Sequence, residues 1–137
     1  MRIVKACLMT NSLFVTRLKA LGVLCVTRGQ LRDYRERFDM KGLCETHHVI
    51  PRCCKSHPAV KQLRFDVEGA GNFVLLPSAK GDTRLFLCER VIHTGGHMKY
   101  NQYVWSLLDA VHNEDALCDL LSTLHRRVRY DPNIPWN

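Results

Sequence analysis

The sequence predicts an α+β fold, with a short β-hairpin and one helix at its centre, flanked by N- and C-terminal helices. Three observations carry this. Leu43 to Ile50 and Asn72 to Leu76 read as short strands, each stopped by a proline, Pro51 and Pro77. Apolar residues recur at helical spacing over residues 12–26, 98–112 and 113–128. The 137 residues contain no repeat, low-complexity stretch or linker, so residues 1–137 are expected to form one domain.

Residues 12–26 predict a first helix. Leu13, Phe14, Leu18, Leu21, Leu24 and Cys25 form its apolar face, Arg17 and Lys19 lie outside, and Gly29 closes the segment. Residues 30–38 predict a short basic helix, with Leu31, Tyr34 and Phe38 toward the core and Arg32, Arg35 and Arg37 toward solvent or phosphate. Together, residues 1–40 make a basic helical N-terminal extension. Lys41-Gly42 turns into the first strand.

Residues 51–71 read as loop, with a helical turn at Ala59–Leu63 after Pro58, and Gly69-Ala70-Gly71 leads into the second strand. Residues 83–92 read as helix, broken by Thr94-Gly95-Gly96. Met98 to His112 then places Tyr100, Val104, Leu107, Leu108 and Val111 at helical spacing. Asn113, followed by Glu114 and Asp115, caps a last helix to about Val128, with Leu117, Leu120, Leu121 and Leu124 as its buried stripe. Arg126, Arg127 and Arg129 lie where cations suit the helix dipole. The tail from Asp131 is extended.

The composition narrows the partners. No stretch approaches the ~20 apolar residues of a membrane span. Asn11, Ser12, Arg17 and Lys19 interrupt the N-terminal apolar run, against a signal peptide. An intracellular protein, in cytoplasm or nucleus, is expected, and the Met1 start favours a free-standing enzyme. The net charge is +7, and residues 1–40 carry eight Lys/Arg against three Asp/Glu. A basic N-terminal half fits a polyanion such as nucleic acid. Seven cysteines without a C-x-x-C pair read as reduced thiols. A second, structural zinc on Cys44, Cys53, Cys54 and His57 is the competing use, disfavoured by the adjacency of Cys53 and Cys54 and the missing ligand spacing.

The chemistry concentrates in histidines. His57, His112 and His125 read as surface or satisfied core residues. His47 and His48 are neighbours on a strand and so point to opposite faces. One imidazole can hold an ion while the other stays free to take a proton from water. Downstream, His93 and His97 are spaced to reach one ion, His93 in a turn and His97 opening the following helix. Neutral imidazoles favour zinc or nickel; magnesium or manganese would draw further oxygen ligands from phosphate and water.

Glu45-Thr46-His47-His48-Val49-Ile50-Pro51, then Gly71-Asn72-Phe73-Val74-Leu75-Leu76-Pro77, then His93-Thr94-Gly95-Gly96-His97-Met98-Lys99-Tyr100-Asn101 resemble the HNH nuclease superfamily, closest to its AHH family. The resemblance covers residues 43–108. Two positions depart from the AHH pattern: Thr46 stands where Ala or Gly precedes the histidines, and Met98 where proline often follows the last one. Neither removes a ligand.

The resemblance implies a ββα-metal core, a hairpin plus helix around one divalent ion (Zn, Mg, Mn or Ni). It implies His47, His93 and His97 as metal ligands and His48 as the general base. Asn72 would brace the hairpin and orient His48, with Glu45 supporting a metal histidine or a basic group. Arg52, Lys80 and Lys99 are the nearest cations for substrate phosphates. The expected activity is metal-dependent endonuclease cleavage of nucleic acid, DNA ahead of RNA, with low sequence specificity. An immunity or inhibitor protein would be a partner if the chain is a toxin. The competing reading is a non-catalytic nucleic-acid-binding or zinc-stabilised interaction domain.

Overall fold

The computed structural model describes residues 12–78 and 97–136. Its elements run α1 (Ser12–Ala20), α2 (Arg28–Arg37), β1 (Cys44–His48), a 3-10 turn (Arg52–Ser56), α3 (Pro58–Gln62), β2 (Phe73–Pro77), α4 (Met98–Leu108) and α5 (Glu114–Tyr130). This is the expected mixture of helices around one small antiparallel sheet. The helix expected over residues 83–92 lies outside the described residues.

The N-terminal helices differ from expectation in their boundaries. α1 ends at Ala20, well short of residue 26, because the chain turns through Gly22 at φ +83°, a left-handed conformation that stops a helix. Phe14 and Leu18 are buried, whereas Leu13, Leu21 and Leu24 are exposed. α2 starts at Arg28 because Thr27 and Gln30 form a capping box. The Thr27 hydroxyl accepts from the Gln30 N–H at 3.1 Å, and the Gln30 side chain accepts from the Thr27 N–H at 2.8 Å. Gly29 therefore lies in the first turn of α2 and does not close the preceding segment.

Of the three residues expected to turn α2 toward the core, only Leu31 is buried. Tyr34 and Phe38 are exposed and rest on each other, with ring centroids 4.7 Å apart. Arg35 departs from its expected outward face: it is half-buried and donates to the Cys44 carbonyl at 3.3 Å, fastening α2 to the start of β1.

β1 and β2 pair antiparallel, with Glu45 opposite Leu76 and His48 opposite Phe73. The pairing extends one step beyond the strands, where the Val49 N–H reaches the Asn72 carbonyl at 2.9 Å. Val49, Ile50, Val74 and Leu76 pack with Phe14 and Leu18 of α1, Val104 and Leu108 of α4, and Leu117, Leu121 and Leu124 of α5. Each such side chain contributes about 1.5–3 kcal/mol of burial. α1 approaches the turn before β2 so closely that a Cβ at Gly71 (φ +95°) would stand 2.8 Å from Leu18 Cδ1. Only glycine suits that place.

α4 ends at Leu108, four residues short of His112. α5 begins as expected, with the Asn113 side chain accepting from the Ala116 N–H at 2.8 Å, and runs on to Tyr130. After α5 the tail turns back. Ile134 is buried, and the Trp136 carbonyl accepts from the Tyr100 N–H at 3.3 Å.

Candidate metal and catalytic centre

The period-two alternation of β1 divides the adjacent histidines. His47 is 5% exposed and lies in a cluster of rings. Its centroid is 5.2 Å from His97, 5.1 Å from Tyr100 and 5.1 Å from Trp136. His97 is brought there as the N-cap residue of α4. The Tyr100 hydroxyl donates to the Val49 carbonyl, pinning α4 to the chain just beyond the histidine pair. Burial pushes this hydroxyl's pKa up, so it remains a neutral donor.

The His47–His97 spacing fits a shared ion. Two imidazoles bound at about 2.0–2.1 Å with a tetrahedral angle between them place their ring centroids about 5 Å apart. The observed 5.2 Å meets that requirement. Among the described residues, no cluster of three or more His, Cys, Asp or Glu side chains is arranged to hold an ion. His93, the third expected ligand, lies outside the described residues, as does Lys80.

His48 faces a different environment. Its Nε2 lies 3.1 Å from both carboxylate oxygens of Glu68, and its ring meets Phe73 edge-on at 4.8 Å. Arg52 donates its Nε–H to Glu68 Oε1 at 2.7 Å. Partial burial pushes the Glu68 carboxyl up, but the hydrogen bonds and charges of His48 and Arg52 outweigh it and hold the group below its ordinary pKa.

Asn72 is fully buried and spends its side chain on the backbone. Its Oδ1 accepts from the Ile50 N–H at 2.7 Å, and its Nδ2 donates to the carbonyls of Ile50 at 2.9 Å and Val67 at 2.8 Å. It thereby ties the end of β1 to the segment that carries Glu68.

An open cavity of about 350 Å³ brings these groups to one surface. Arg28, Thr46, His47, His48, Arg52 and His97 line it. Three imidazoles and two guanidinium groups around one recess can receive an anion and move a proton beside it. Glu45 is exposed on the His47 side of β1, and Lys99 is exposed on the first turn of α4; neither lines the cavity.

Among the described residues, Cys44, Cys53, Cys54 and His57 form no group arranged to hold an ion. Cys44 and Cys54 are buried, Cys53 is exposed, and none of the three is in a disulfide. His57 has both ring nitrogens in use: Nε2 lies 2.8 Å from Asp109, and Nδ1 accepts from the Ala59 N–H at 3.0 Å. His125 is buried with Nε2 on the Gly71 carbonyl at 2.6 Å, and His112 is exposed.

The sequence reading missed Glu68, Arg28 and Trp136. Glu68 reaches His48 across twenty positions that hold the 3-10 turn and α3, and no local pattern marks it. Arg28 had a signal: the Thr27-x-x-Gln30 capping box places it in the first turn of α2. Trp136 is placed by the fold-back of the tail alone.

A family model matches residues 32–129: AHH, a nuclease family of the HNH/ENDO VII superfamily with conserved AHH. No curated protein and no solved structure gives a match. The matched span holds the hairpin, α4 and most of α5, and leaves Arg28 and Trp136 outside.

Proposed function

We propose that this chain, which belongs to the AHH family of nucleases in the HNH/ENDO VII superfamily, is a metal-dependent endonuclease that hydrolyses phosphodiester bonds of DNA with low sequence specificity. A nuclease family implies nucleic acid as the substrate, and the basic balance of the chain supports a polyanion. The observation that carries the reading is the 5.2 Å spacing of the His47 and His97 rings beside His48 in one cavity. Among the described residues, no helix is long and apolar enough to cross a membrane. We place the enzyme in the cytoplasm or nucleus of the producing or target cell; an immunity or inhibitor protein would be its partner if it is a toxin.

His47 and His97, with His93, would hold a divalent ion (zinc, magnesium, manganese or nickel), which when bound supplies positive charge at the phosphate and at the leaving 3′ oxygen. His48 acts as general base. It takes a proton from water as the water oxygen attacks phosphorus; the bond from phosphorus to the 3′ oxygen breaks, and that oxygen takes a proton from a second, solvent water. The products are a 5′ phosphate and a 3′ hydroxyl. Arg28 and Arg52 face the same cavity and steady the substrate phosphates, while Lys99 contacts the backbone further out; Lys80, outside the described residues, is the remaining candidate phosphate contact. Asn72 holds the hairpin end in register. Glu45, on the His47 side of β1, supports the ligand side of the site.

Plasmid cleavage tests the reading. Wild type should nick and linearise plasmid in at least one of Mg, Mn, Ni or Zn, and His48→Ala should lose at least about 10²-fold in rate. Intact plasmid in all four metals would sink the enzyme reading. His47→Ala should lose bound metal yet keep its helical circular dichroism; loss of both would favour a structural zinc domain.

A further inference from the structure

The contact between Glu68 and His48 carries an inference about how the base is set. A neutral imidazole has one N–H and one bare nitrogen, and the hydrogen bond on one side decides which is which. A carboxylate has only lone pairs to offer. Both Glu68 oxygens lie 3.1 Å from His48 Nε2, so that nitrogen is the one carrying hydrogen. Glu68 is itself fixed from two further sides. Arg52 Nε donates to Oε1 at 2.7 Å, and the Glu68 N–H donates to Asp66 Oδ1 at 2.9 Å. The Asn72 amide holds the preceding carbonyl, at Val67, against Ile50.

We propose that Glu68 is a positioning residue for the reaction: its carboxylate accepts the Nε2 proton of His48, fixes that tautomer, and leaves Nδ1 as the nitrogen that takes the proton from water. The balance is simple. A water O–H bond breaks, an Nδ1–H bond forms, and the positive charge on the ring sits beside the negative Glu68. The influence of Asn72 on His48 then runs through the Val67–Glu68 segment. This rests on the reading of His48 as the general base.

Substitution to glutamine is the sharp test, because Arg52 makes it asymmetric. In Glu68→Gln the amide oxygen stays on the Arg52 N–H, which needs an acceptor. The NH2 then stands in the place of Oε2, 3.1 Å from His48 Nε2, so that nitrogen no longer meets acceptors alone and its exclusive hold on the proton is lost. Nitrogen-15 NMR of the metal-free protein at about pH 8 reads the tautomer directly. Wild type should show Nε2–H alone, and Glu68→Gln should show the Nδ1–H form populated beside it. In the metal-loaded enzyme kcat should fall about tenfold or more in Glu68→Gln, which loses both the tautomer preference and the negative charge beside the ring, with KM within about threefold.

An Nδ1–H tautomer in wild type, the same tautomer in both proteins, or a wild-type kcat in Glu68→Gln would overturn the proposal. If Glu68→Gln does not fold, Glu68→Ala serves. It should give a tautomer mixture and lowered kcat, and an unchanged pure tautomer counts against Glu68. Wild-type cleavage by His48→Ala would remove the base assignment and this proposal with it. Loss of cleavage in His48→Ala beside an unaffected Glu68→Gln would overturn Glu68 alone.

Discussion

His125 Nε2 donates to the Gly71 carbonyl at 2.6 Å and so joins α5 to the turn that opens β2. The ring is buried, and its Nδ1 has no hydrogen-bond partner among the described residues. Burial, opposed in part by the Gly71 bond, pushes the pKa down from 6.5 to about 4. The unfolded chain therefore takes this proton before the folded one does. The contribution of neutral His125 is complete above pH 6.5 and is lost as pH falls from 6.5 to about 4. Its full size is on the order of 3 kcal/mol. Denaturant melts from pH 7.5 down to 4 should show this decline. His125→Gln keeps a donor for Gly71 without titrating and should flatten it; an equal decline in that variant would refute the assignment.

Tyr100→Phe removes the hydroxyl that reaches the Val49 carbonyl. A buried acceptor is left unsatisfied, and stability should fall by about 1–3 kcal/mol. Because Tyr100 holds the first turn of α4 against the hairpin, the His47–His97 spacing should loosen too. Calorimetry should record weaker binding of zinc or nickel. A destabilised variant that binds metal as tightly as wild type would show that this bond supports the core but not the ligand pair.

Asn72→Ala should be worse for folding. It deserts the Ile50 N–H and the carbonyls of Ile50 and Val67, all otherwise served by one buried amide. A loss of about 3 kcal/mol or more in urea unfolding is expected. Asn72→Asp keeps the acceptor but no donor, and should recover little. Near-wild-type stability in either variant would contradict the bracing role.

Arg28→Ala should act on binding more than on rate. The guanidinium lines the cavity and makes no ion pair with a described carboxylate. KM for DNA should rise several-fold with kcat within about twofold, and the salt dependence of affinity should shallow by about one phosphate contact. An unchanged salt slope would remove Arg28 from the substrate path. Arg52→Ala should differ, because it also releases Glu68.

The separate surroundings of the histidine pair were legible because a period of two forces neighbours apart. The strands and α5 were legible through prolines, the Asn113 cap and the leucine stripe. α1 and α2 were read less well for local reasons. Gly22 ended the first helix where periodicity ran on, and the Thr27 capping box started the second ahead of Gly29. Tyr34 and Phe38 kept core spacing without a partner to cover them. Glu68 was invisible because its link to His48 depends on loop closure held by buried Asn72, which no local pattern encodes.

Trp136 lies 5.1 Å from His47 and 5.4 Å from His97, while Trp105, the other tryptophan of the chain, meets His57 edge-on at 4.7 Å. The molecule thus carries two separate optical addresses. Nickel entering between His47 and His97 should quench Trp136 emission and leave Trp105 bright, so Trp105→Phe becomes a single-channel sensor of its own loading. The tail that folds back over the imidazoles gives the protein an intrinsic lamp at the place where its ion would arrive.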